Sequence, residues 1–215
     1  MPRKNSIKTY SENTIYHLYN RGIDKKDIFR DDQDYQSFIF LLQRYLSSTP
    51  KNQPFIKDKS LYGQITLLAF CLMPDHFHLL VKQITNTAIA SLAKKVCTNY
   101  AMYFNKKYKR SGSLFDGRYR AVVVDNPEQL LHLSRYIHLN PHLSGLFTVL
   151  EYEYSSYPYF LGNKKADWIN PQIILDYFNR NKIGFTYQEF ISRYIKEESA
   201  LDQSLVLEEA EESGA

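Results

Sequence analysis

Two histidines two residues apart, His76 and His78, are the first candidates for chemistry in this sequence. The run around them is apolar, and we expect a strand in which alternation places both imidazoles on one face and Phe77 on the other face, in the core. Neutral imidazole is a common metal ligand, so the pair would supply two points of a metal site. A pair of hydrogen-bonded histidines on a half-buried sheet face is the alternative.

A second candidate set lies on the helix expected after Asn126. His132, Tyr136 and Asn140 follow one another at intervals of four residues and therefore share one polar stripe. A neighbouring apolar stripe, which should face the sheet, consists of Leu130, Leu133 and Ile137. Asn140 could complete a site of two imidazoles and an amide oxygen, with Tyr136 close to it. Alternatively, Tyr136 lies at the rim of the core and Asn140 caps the end of the helix.

Basic and aromatic residues alternate between Lys94 and Arg120, where eight Lys or Arg residues accompany one acid, Asp116. Cations that follow a backbone and aromatic rings that stack on unpaired bases suit single-stranded or hairpin DNA. A solvated helix face is the alternative. The candidates for DNA binding are Arg21, Lys106, Lys107, Lys109, Arg110, Arg118 and Arg120.

The charge of the chain is unevenly distributed. The 215 residues contain 27 Lys and Arg and 23 Asp and Glu, a formal net charge of +4. Residues 197–215 hold seven acids and no Lys or Arg, so the rest of the chain carries +11. Such a charge favours a polyanionic partner such as nucleic acid.

Local patterns predict the elements that position these residues. Strands are expected at Thr14–Asn20, Gln64–Met73, His76–Gln83 and Arg118–Val124, and helices at 31–46, 86–108 and from Pro127 to about Asn140. The last helix should begin at a capping Asn126 and end before Pro141, which disfavours helix at the preceding residue. A polar stretch with Pro50 and Pro54 should be a loop. The mixture predicts an α+β fold, with an antiparallel or mixed sheet covered by helices.

We divide the chain into an α+β unit at 1–150 and a small helical appendage at 151–198, with helices near 171–181 and 186–198. The acidic tail at 199–215 is expected to be disordered. The N-terminal residues show no secretory signal, and the longest apolar run, Leu67–Met73, is too short to span a bilayer. Cys71 and Cys97 are expected as buried free thiols. These features predict a cytoplasmic protein without a membrane partner.

Several motifs, taken together and in order, resemble a known family. His76-Phe77-His78, preceded by Met73-Pro74-Asp75, is similar to the paired-histidine strand of the single-tyrosine, IS200-like transposases of the HUH endonuclease superfamily. The run from Arg135 to Pro141 resembles the nucleophile helix of one branch, the REP-associated tyrosine transposases. Three further matches are Tyr16–Gly22, Asp27-Ile28-Phe29 and Gly117–Arg120. The resemblance covers roughly residues 10–160.

The resemblance implies a ferredoxin-like fold of the HUH endonuclease type and a role for each matching residue. It makes Tyr136 the nucleophile, His76 and His78 metal ligands, and Asn140 the third ligand. Asp75 stands where Asn or Glu is more common and lies outside the ligand set. The donor atoms favour Mn²⁺, Co²⁺ or Zn²⁺ by affinity, whereas family precedent and cellular abundance favour Mg²⁺ or Mn²⁺. Members of the family occur as monomers or homodimers, and both remain open.

The expected activity is metal-dependent cleavage and strand transfer of hairpin DNA through a 5′-phosphotyrosine, in the cytoplasm and associated with the nucleoid when DNA is bound. Free tyrosine has a pKa near ~10 and is a poor nucleophile at neutral pH without help. Two alternatives remain: a non-catalytic or regulatory nucleic-acid-binding protein of the same fold, and a metal-dependent phosphodiesterase that uses water. A covalent protein–DNA adduct would distinguish the expected activity from both.

Overall fold

A computed structural model describes residues 10–48, 60–145, 147–180 and 184–196. The predicted loop at Pro50 and Pro54 and the acidic tail lie outside these residues. The elements are β1 (Ile15–Arg21), a 3₁₀ turn (Ile23–Lys25), α1 (Asp32–Leu46), β2 (Ile65–Met73), β3 (His76–Gln83), α2 (Ala88–Lys107), β4 (Arg120–Val124), α3 (Pro127–Leu143), α4 (Tyr157–Phe160) and α5 (Gln172–Arg180). Residues 187–196 are also helical.

The four strands form one sheet in the order β2-β3-β1-β4, and every neighbouring pair is antiparallel. The chain order β1-α1-β2-β3-α2-β4 with this strand order is the ferredoxin-like arrangement. The predicted α+β class is confirmed, and the sheet is antiparallel rather than mixed. The strands lie within one or two residues of their predicted positions because their alternating and apolar patterns are strong local signals.

The two faces of the sheet carry different residues. Phe77, Leu79 and Val81 of β3 point to the face covered by α1 and α2, where they join the main hydrophobic core. The opposite face carries His76 and His78, together with the residues that alternate with the core side chains on the other strands. The third long helix, α3, packs over β2 on this second face. The predicted separation of Phe77 from the two imidazoles is confirmed.

Helix α3 begins as expected but ends later than expected. Asn126 caps it by accepting a 2.8 Å hydrogen bond from the Gln129 amide, and Pro127 occupies the first turn. The predicted end at Asn140 is wrong, since the helix includes Pro141 and continues to Leu143. Pro141 is buried, and the Ser144 amide donates to the Asn140 carbonyl at 3.0 Å. A proline so close to a helix end removes few of the backbone hydrogen bonds of the helix. The packing of its buried ring outweighs its tendency to end a helix at the preceding residue.

The contacts divide the chain into two compact units, residues 1–174 and 175–215. The first unit therefore includes part of the segment expected as a C-terminal appendage. There, Ser156 donates its amide to the Phe70 carbonyl on β2 at 2.9 Å. The second unit contains most of α5 and the helix at 187–196, and its described side chains form an aromatic cluster around Phe178 and Phe190.

Candidate active site

The paired histidines lie side by side on the face of the sheet away from the main core. Their ring centroids are 4.9 Å apart and the rings are nearly perpendicular. His78 is only 6% exposed, whereas His76 is partly exposed. The strand therefore presents two imidazoles in one direction, as the alternation predicted.

The turn that precedes His76 is held by the segment after β1. The Gly22 amide donates to the Asp75 carbonyl at 2.7 Å, and the Ile28 and Phe29 amides donate to the Pro74 carbonyl at 2.7 and 2.9 Å. A Cβ on Gly22 would lie 2.0 Å from the Lys26 carbonyl oxygen, so no larger residue fits the observed backbone. These bonds explain why the Arg21-Gly22 and Asp27-Ile28-Phe29 motifs accompany the paired histidines in the sequence.

Helix α3 brings Asn140 and Tyr136 to the two histidines. Asn140 Oδ1 lies 3.3 Å from His76 Nε2, and the Asn140 amide nitrogen donates to the Tyr136 carbonyl at 2.9 Å. The second bond determines which end of the amide faces the imidazole. The Tyr136 ring meets the His78 ring edge to face, with 5.6 Å between centroids. The four residues singled out in the sequence thus converge.

Two residues without a predicted role orient the imidazoles. Asp75 Oδ1 lies 2.5 Å from His76 Nδ1, and His17 Nε2 on β1 lies 2.8 Å from His78 Nδ1. A carboxylate can only accept, so the single ring proton of a neutral His76 belongs on Nδ1. Carboxylates and similar partners behind a histidine ligand direct its other nitrogen toward a metal.

Burial keeps the inner histidines neutral. It lowers the pKa of His78 well below the ordinary value, and the nearby His17 and His76 lower it further. Burial also lowers the pKa of His17 to about 4. Neutral imidazole is the form that binds a metal.

The donor atoms fit a divalent cation. His78 Nε2 is buried and has no hydrogen-bond partner among the described residues. His76 Nε2 and Asn140 Oδ1 both present lone pairs across their 3.3 Å separation, and two ligands of one cation lie about 3.0–3.4 Å apart when each bond is about 2.1 Å long. The described part of the chain holds no cluster of three or more His, Cys, Asp or Glu side chains arranged for a metal. The candidate set of His76, His78 and Asn140 instead has an amide oxygen as its third donor atom.

The Tyr136 side chain is accessible to solvent beside the histidines. Its side chain is 45% exposed, although it adjoins the buried His78. His132, one turn earlier, is exposed and accepts a 2.8 Å hydrogen bond from Arg135 at Nδ1. A tyrosine with a purely structural role would be expected to bury its ring, and the exposure of Tyr136 therefore argues against that alternative.

The predicted DNA-binding residues separate into two groups. Arg21 pairs with His76 across the sheet, and Arg120 pairs with Tyr19, so both lie beside the site. Arg21 also contacts Asp116 at 3.6 Å, and Arg118 is exposed in the loop before β4. The second group lies at and beyond the end of α2, away from the histidines: Lys106, Lys107, Lys109 and Arg110. Within it, Lys107 is bound at 2.6 and 2.8 Å by the carboxylates of Asp31 and Asp34.

His17 and Asp75 are the residues that sequence reasoning missed. Alternation in β1 would have placed His17 and Tyr19 on one face, but nothing local shows that β1 pairs with β3. Asp75 directly precedes His76, and a carboxylate next to a histidine is a signal that could have been used.

Comparisons with known proteins give a family match and two similar solved structures. The model of the family described as "Transposase IS200 like" matches residues 10–140. A solved structure of a REP-associated tyrosine transposase bound to a REP hairpin is similar, with 13% identity, a TM-score of 0.52, and coverage of 78% of this chain and 92% of that chain. A candidate transposase from Deinococcus radiodurans R1 has 15% identity, a TM-score of 0.38, and coverage of 64% and 95%. No curated protein matches the chain.

Proposed function

Because this chain belongs to the family of IS200-like transposases, we propose that it cuts and rejoins single-stranded DNA beside a hairpin, with Tyr136 as the nucleophile. One observation carries the proposal. An exposed tyrosine on α3 stands beside His78, and the same helix supplies an amide oxygen 3.3 Å from His76. Family membership supports DNA cleavage in general, and this arrangement supports the particular chemistry.

The metal-binding residues in this proposal are His76, His78 and Asn140. Mg²⁺ or Mn²⁺ bound there supplies a Lewis acid for a non-bridging oxygen of the scissile phosphate. The protein contributes orientation: Asp75 holds His76, His17 holds His78, and the Tyr136 carbonyl holds the Asn140 amide. With these partners the donor atoms need little rearrangement when the site is filled.

In the proposed reaction the Tyr136 hydroxyl oxygen attacks phosphorus. A bond forms between that oxygen and phosphorus, and the bond from phosphorus to the 3′ oxygen breaks. The phenol loses its proton and the departing 3′ oxygen gains one, so protons balance. The products are a 5′-phosphotyrosine and a free 3′-OH. A second strand end can reverse the linkage, because its phosphoester bond is retained.

DNA contacts in the proposal involve both basic groups to different degrees. Arg21 and Arg120 lie on the face that carries the histidines, and Arg118 is close to them in the chain. They are suited to the phosphates next to the cleaved bond. Lys106, Lys109 and Arg110 would contact a more distant part of the same hairpin, whereas Lys107 is occupied by two carboxylates.

The test uses a library of hairpin oligonucleotides with single-stranded flanks, incubated with the protein and Mn²⁺. A 5′-phosphotyrosine carries the downstream fragment, so a 3′-end label should appear in a denaturation-resistant adduct and a 5′-end label should not. We expect Tyr136→Phe to lower adduct formation and cleavage at least about 1,000-fold, while hairpin affinity changes less than about threefold.

Tyr62→Phe is the matched control, because Tyr62 is 55% exposed and remote from the histidines in the described contacts. It should react like the wild type. Cleavage without an adduct, retained by Tyr136→Phe, would support the water-using phosphodiesterase. Binding without cleavage by the wild type would support the regulatory alternative.

A further inference from the structure

A pocket of about 490 Å³ opens next to Tyr136, on the side away from His76 and Asn140. This volume lies within the range of small-ligand sites. His78 and Tyr136 belong both to the candidate active site and to the pocket wall, so the two are continuous. The residues that line it include His17, Tyr19, Val122, Gln129, Leu133 and Tyr136.

The pocket exists because α3 covers only part of its face of the sheet. The helix packs mainly on β2, whereas β1 and β4 lie at the other side of the sheet. His17 pairs with Val122 across these two strands, and Val122 remains 50% exposed. Gln129, Leu133 and Tyr136, spaced at four and three residues, form the opposing wall on α3.

The floor offers Tyr19 to a flat aromatic ligand. The His17 and Tyr19 rings stack on each other, with 4.8 Å between centroids and 25° between planes, so a base would stack on the outer face of Tyr19. The Val122 methyl groups adjoin them on the neighbouring strand. Bases of any sequence stack favourably on aromatic side chains. The Arg120 guanidinium lies 5.9 Å from the Tyr19 ring centroid, where it can accompany the phosphate of a stacked nucleotide.

The α3 wall contains an oriented polar group. Gln129 Oε1 accepts a 2.7 Å hydrogen bond from the Asp125 amide. This bond turns the amide so that its NH₂ group is the part left to interact with a ligand in the pocket. The wall therefore presents hydrogen-bond donors above a stacking floor.

We propose that this pocket binds the base of a nucleotide adjoining the scissile phosphate, turned out of its strand, and that Gln129 donates to an acceptor on the base edge. The inference rests on the proposed function, because it takes Tyr136 to be the reacting residue. A base held against Tyr19 would position the neighbouring phosphate near the Tyr136 hydroxyl. Enzymes that act within nucleic acids commonly turn a base out of its stack.

The experiment combines a substitution that fills the pocket with oligonucleotides that lack one base. Val122→Trp puts an indole where the base would stack, and large aromatic residues are well accepted in strands. On the preferred hairpin we expect adduct formation to fall at least tenfold. We then remove one base at a time from the flanking strand and compare adduct formation by the two proteins. At a single abasic position, the one whose base would occupy the pocket, we expect the variant to match or exceed the wild type.

The control is Met102→Trp, because Met102 is 65% exposed on α2, across the sheet from the pocket. It should leave all rates within about twofold. The inference is overturned if Val122→Trp cleaves the intact hairpin at the wild-type rate. It is also overturned if no abasic position restores activity to a variant whose circular dichroism and Mn²⁺ binding match the wild type.

A second variant tests the proposed donor. Gln129→Glu can still accept from the Asp125 amide, but it replaces the NH₂ group by a second acceptor oxygen. With the base at the pocket position varied, we expect the order of preference among the four bases to change, by about tenfold for the base the wild type prefers. Glu128→Gln, an exposed change in the same turn, should preserve the order. An unchanged order with Gln129→Glu would refute base reading by this residue.

These outcomes are distinguishable from failure of the proposed function. If wild-type protein forms no adduct at Tyr136, the proposed chemistry fails. If the adduct forms and depends on Tyr136, but Val122→Trp and Gln129→Glu behave like their controls, only the pocket assignment fails.

Discussion

At the scale of single residues, His76 and His78 are held by different partners. Asp75 gives His76 a carboxylate at 2.5 Å from its Nδ1, while the Nδ1 of His78 faces the neutral His17 ring at 2.8 Å. A carboxylate makes the opposite nitrogen a better metal ligand than a neutral partner does. We therefore expect Asp75 to influence metal affinity strongly although it lies outside the ligand set.

We predict that Asp75→Ala lowers Mn²⁺ affinity about 10–100-fold, because His76 loses the acceptor that fixes its proton and orientation. Asp75→Asn should have a smaller effect, since its side-chain oxygen can still accept from Nδ1. Calorimetric titration of Mn²⁺ into each protein measures this. Asp167→Ala is the control, because Asp167 bonds Ser48 at the end of α1, and it should bind Mn²⁺ like the wild type. Equal affinity for wild type and Asp75→Ala would rule out this role.

At the scale of elements, α3 is held on the sheet by a polar contact on the side opposite Tyr136. His138, fully buried, lies 2.7 Å from Ser156 Oγ. The same hydroxyl accepts from the Phe70 amide on β2 at 2.8 Å. One serine thus links α3, which carries Tyr136 and Asn140, to β2. The two histidines lie on β3, the next strand of the same sheet.

Ser156→Ala should lower the free energy of unfolding by about 2–4 kcal/mol, because it leaves the Phe70 amide and a His138 nitrogen buried without this partner. Urea denaturation measures the change. Ser111→Ala, in an exposed loop, should change it by less than about 0.5 kcal/mol. A loss below about 1 kcal/mol for Ser156→Ala would show that the link adds little to stability.

A second link joins α1 to α2. The Asp34 carboxylate is fully buried, and it accepts from Lys107 at 2.8 Å, Tyr103 at 3.0 Å and Tyr108 at 2.8 Å. Lys107 also binds Asp31, the residue that caps α1. This lysine therefore belongs to the scaffold, although the sequence grouped it with the DNA-binding residues.

We expect Lys107→Ala to lower the free energy of unfolding by about 1–3 kcal/mol, because a buried carboxylate loses its only lysine partner among the described residues. It should leave the salt dependence of DNA affinity nearly unchanged. Lys106→Ala, at the exposed neighbouring position, is the matched variant and should have the reverse effects. Its free energy of unfolding should stay within about 0.5 kcal/mol of the wild type. Its slope of log K against log salt should decrease in magnitude by about 0.9, for one lost phosphate contact. Identical behaviour of the two variants would contradict the distinction.

At the scale of the whole molecule, charge is segregated along the chain. The acids of 197–215 oppose a charge of +11 on the remaining residues. By charge alone, the acidic segment and DNA phosphates would compete for the same basic residues. Competition between them would weaken with salt, since the Debye length is about 8–10 Å under physiological conditions.

In the described residues, no helix is long and apolar enough to cross a membrane.

Truncation after Lys196 should tighten hairpin binding at low salt and steepen the fall of log K with log salt, because basic residues no longer exchange one anion for another. Affinity measured for one hairpin at several salt concentrations, with and without the segment, tests this. A chain with the seven acids changed to Gln or Asn should behave like the truncated one. Superimposable salt curves would end the idea of competition.

Features that depend on local periodicity could be predicted from the sequence alone. Alternation around Phe77 put the paired histidines on one face, and the interval of four residues put Tyr136 and Asn140 on one side of a helix. The capping Asn126 located the start of that helix. Ordered motifs along the chain then indicated the family and an α+β fold, whose sheet could be antiparallel or mixed.

Contacts between residues that are far apart in the chain could not be predicted in this way. The pairing of β1 with β3 brings His17 to His78, 61 residues away. The packing of α2 on α1 places Lys107 against Asp34, although the sequence pattern predicts that Lys107 binds DNA. Packing also carries α3 through Pro141. A local pattern specifies which way a side chain points along its own element. The neighbour that it meets depends on strand register and helix packing, which arise from the fold as a whole.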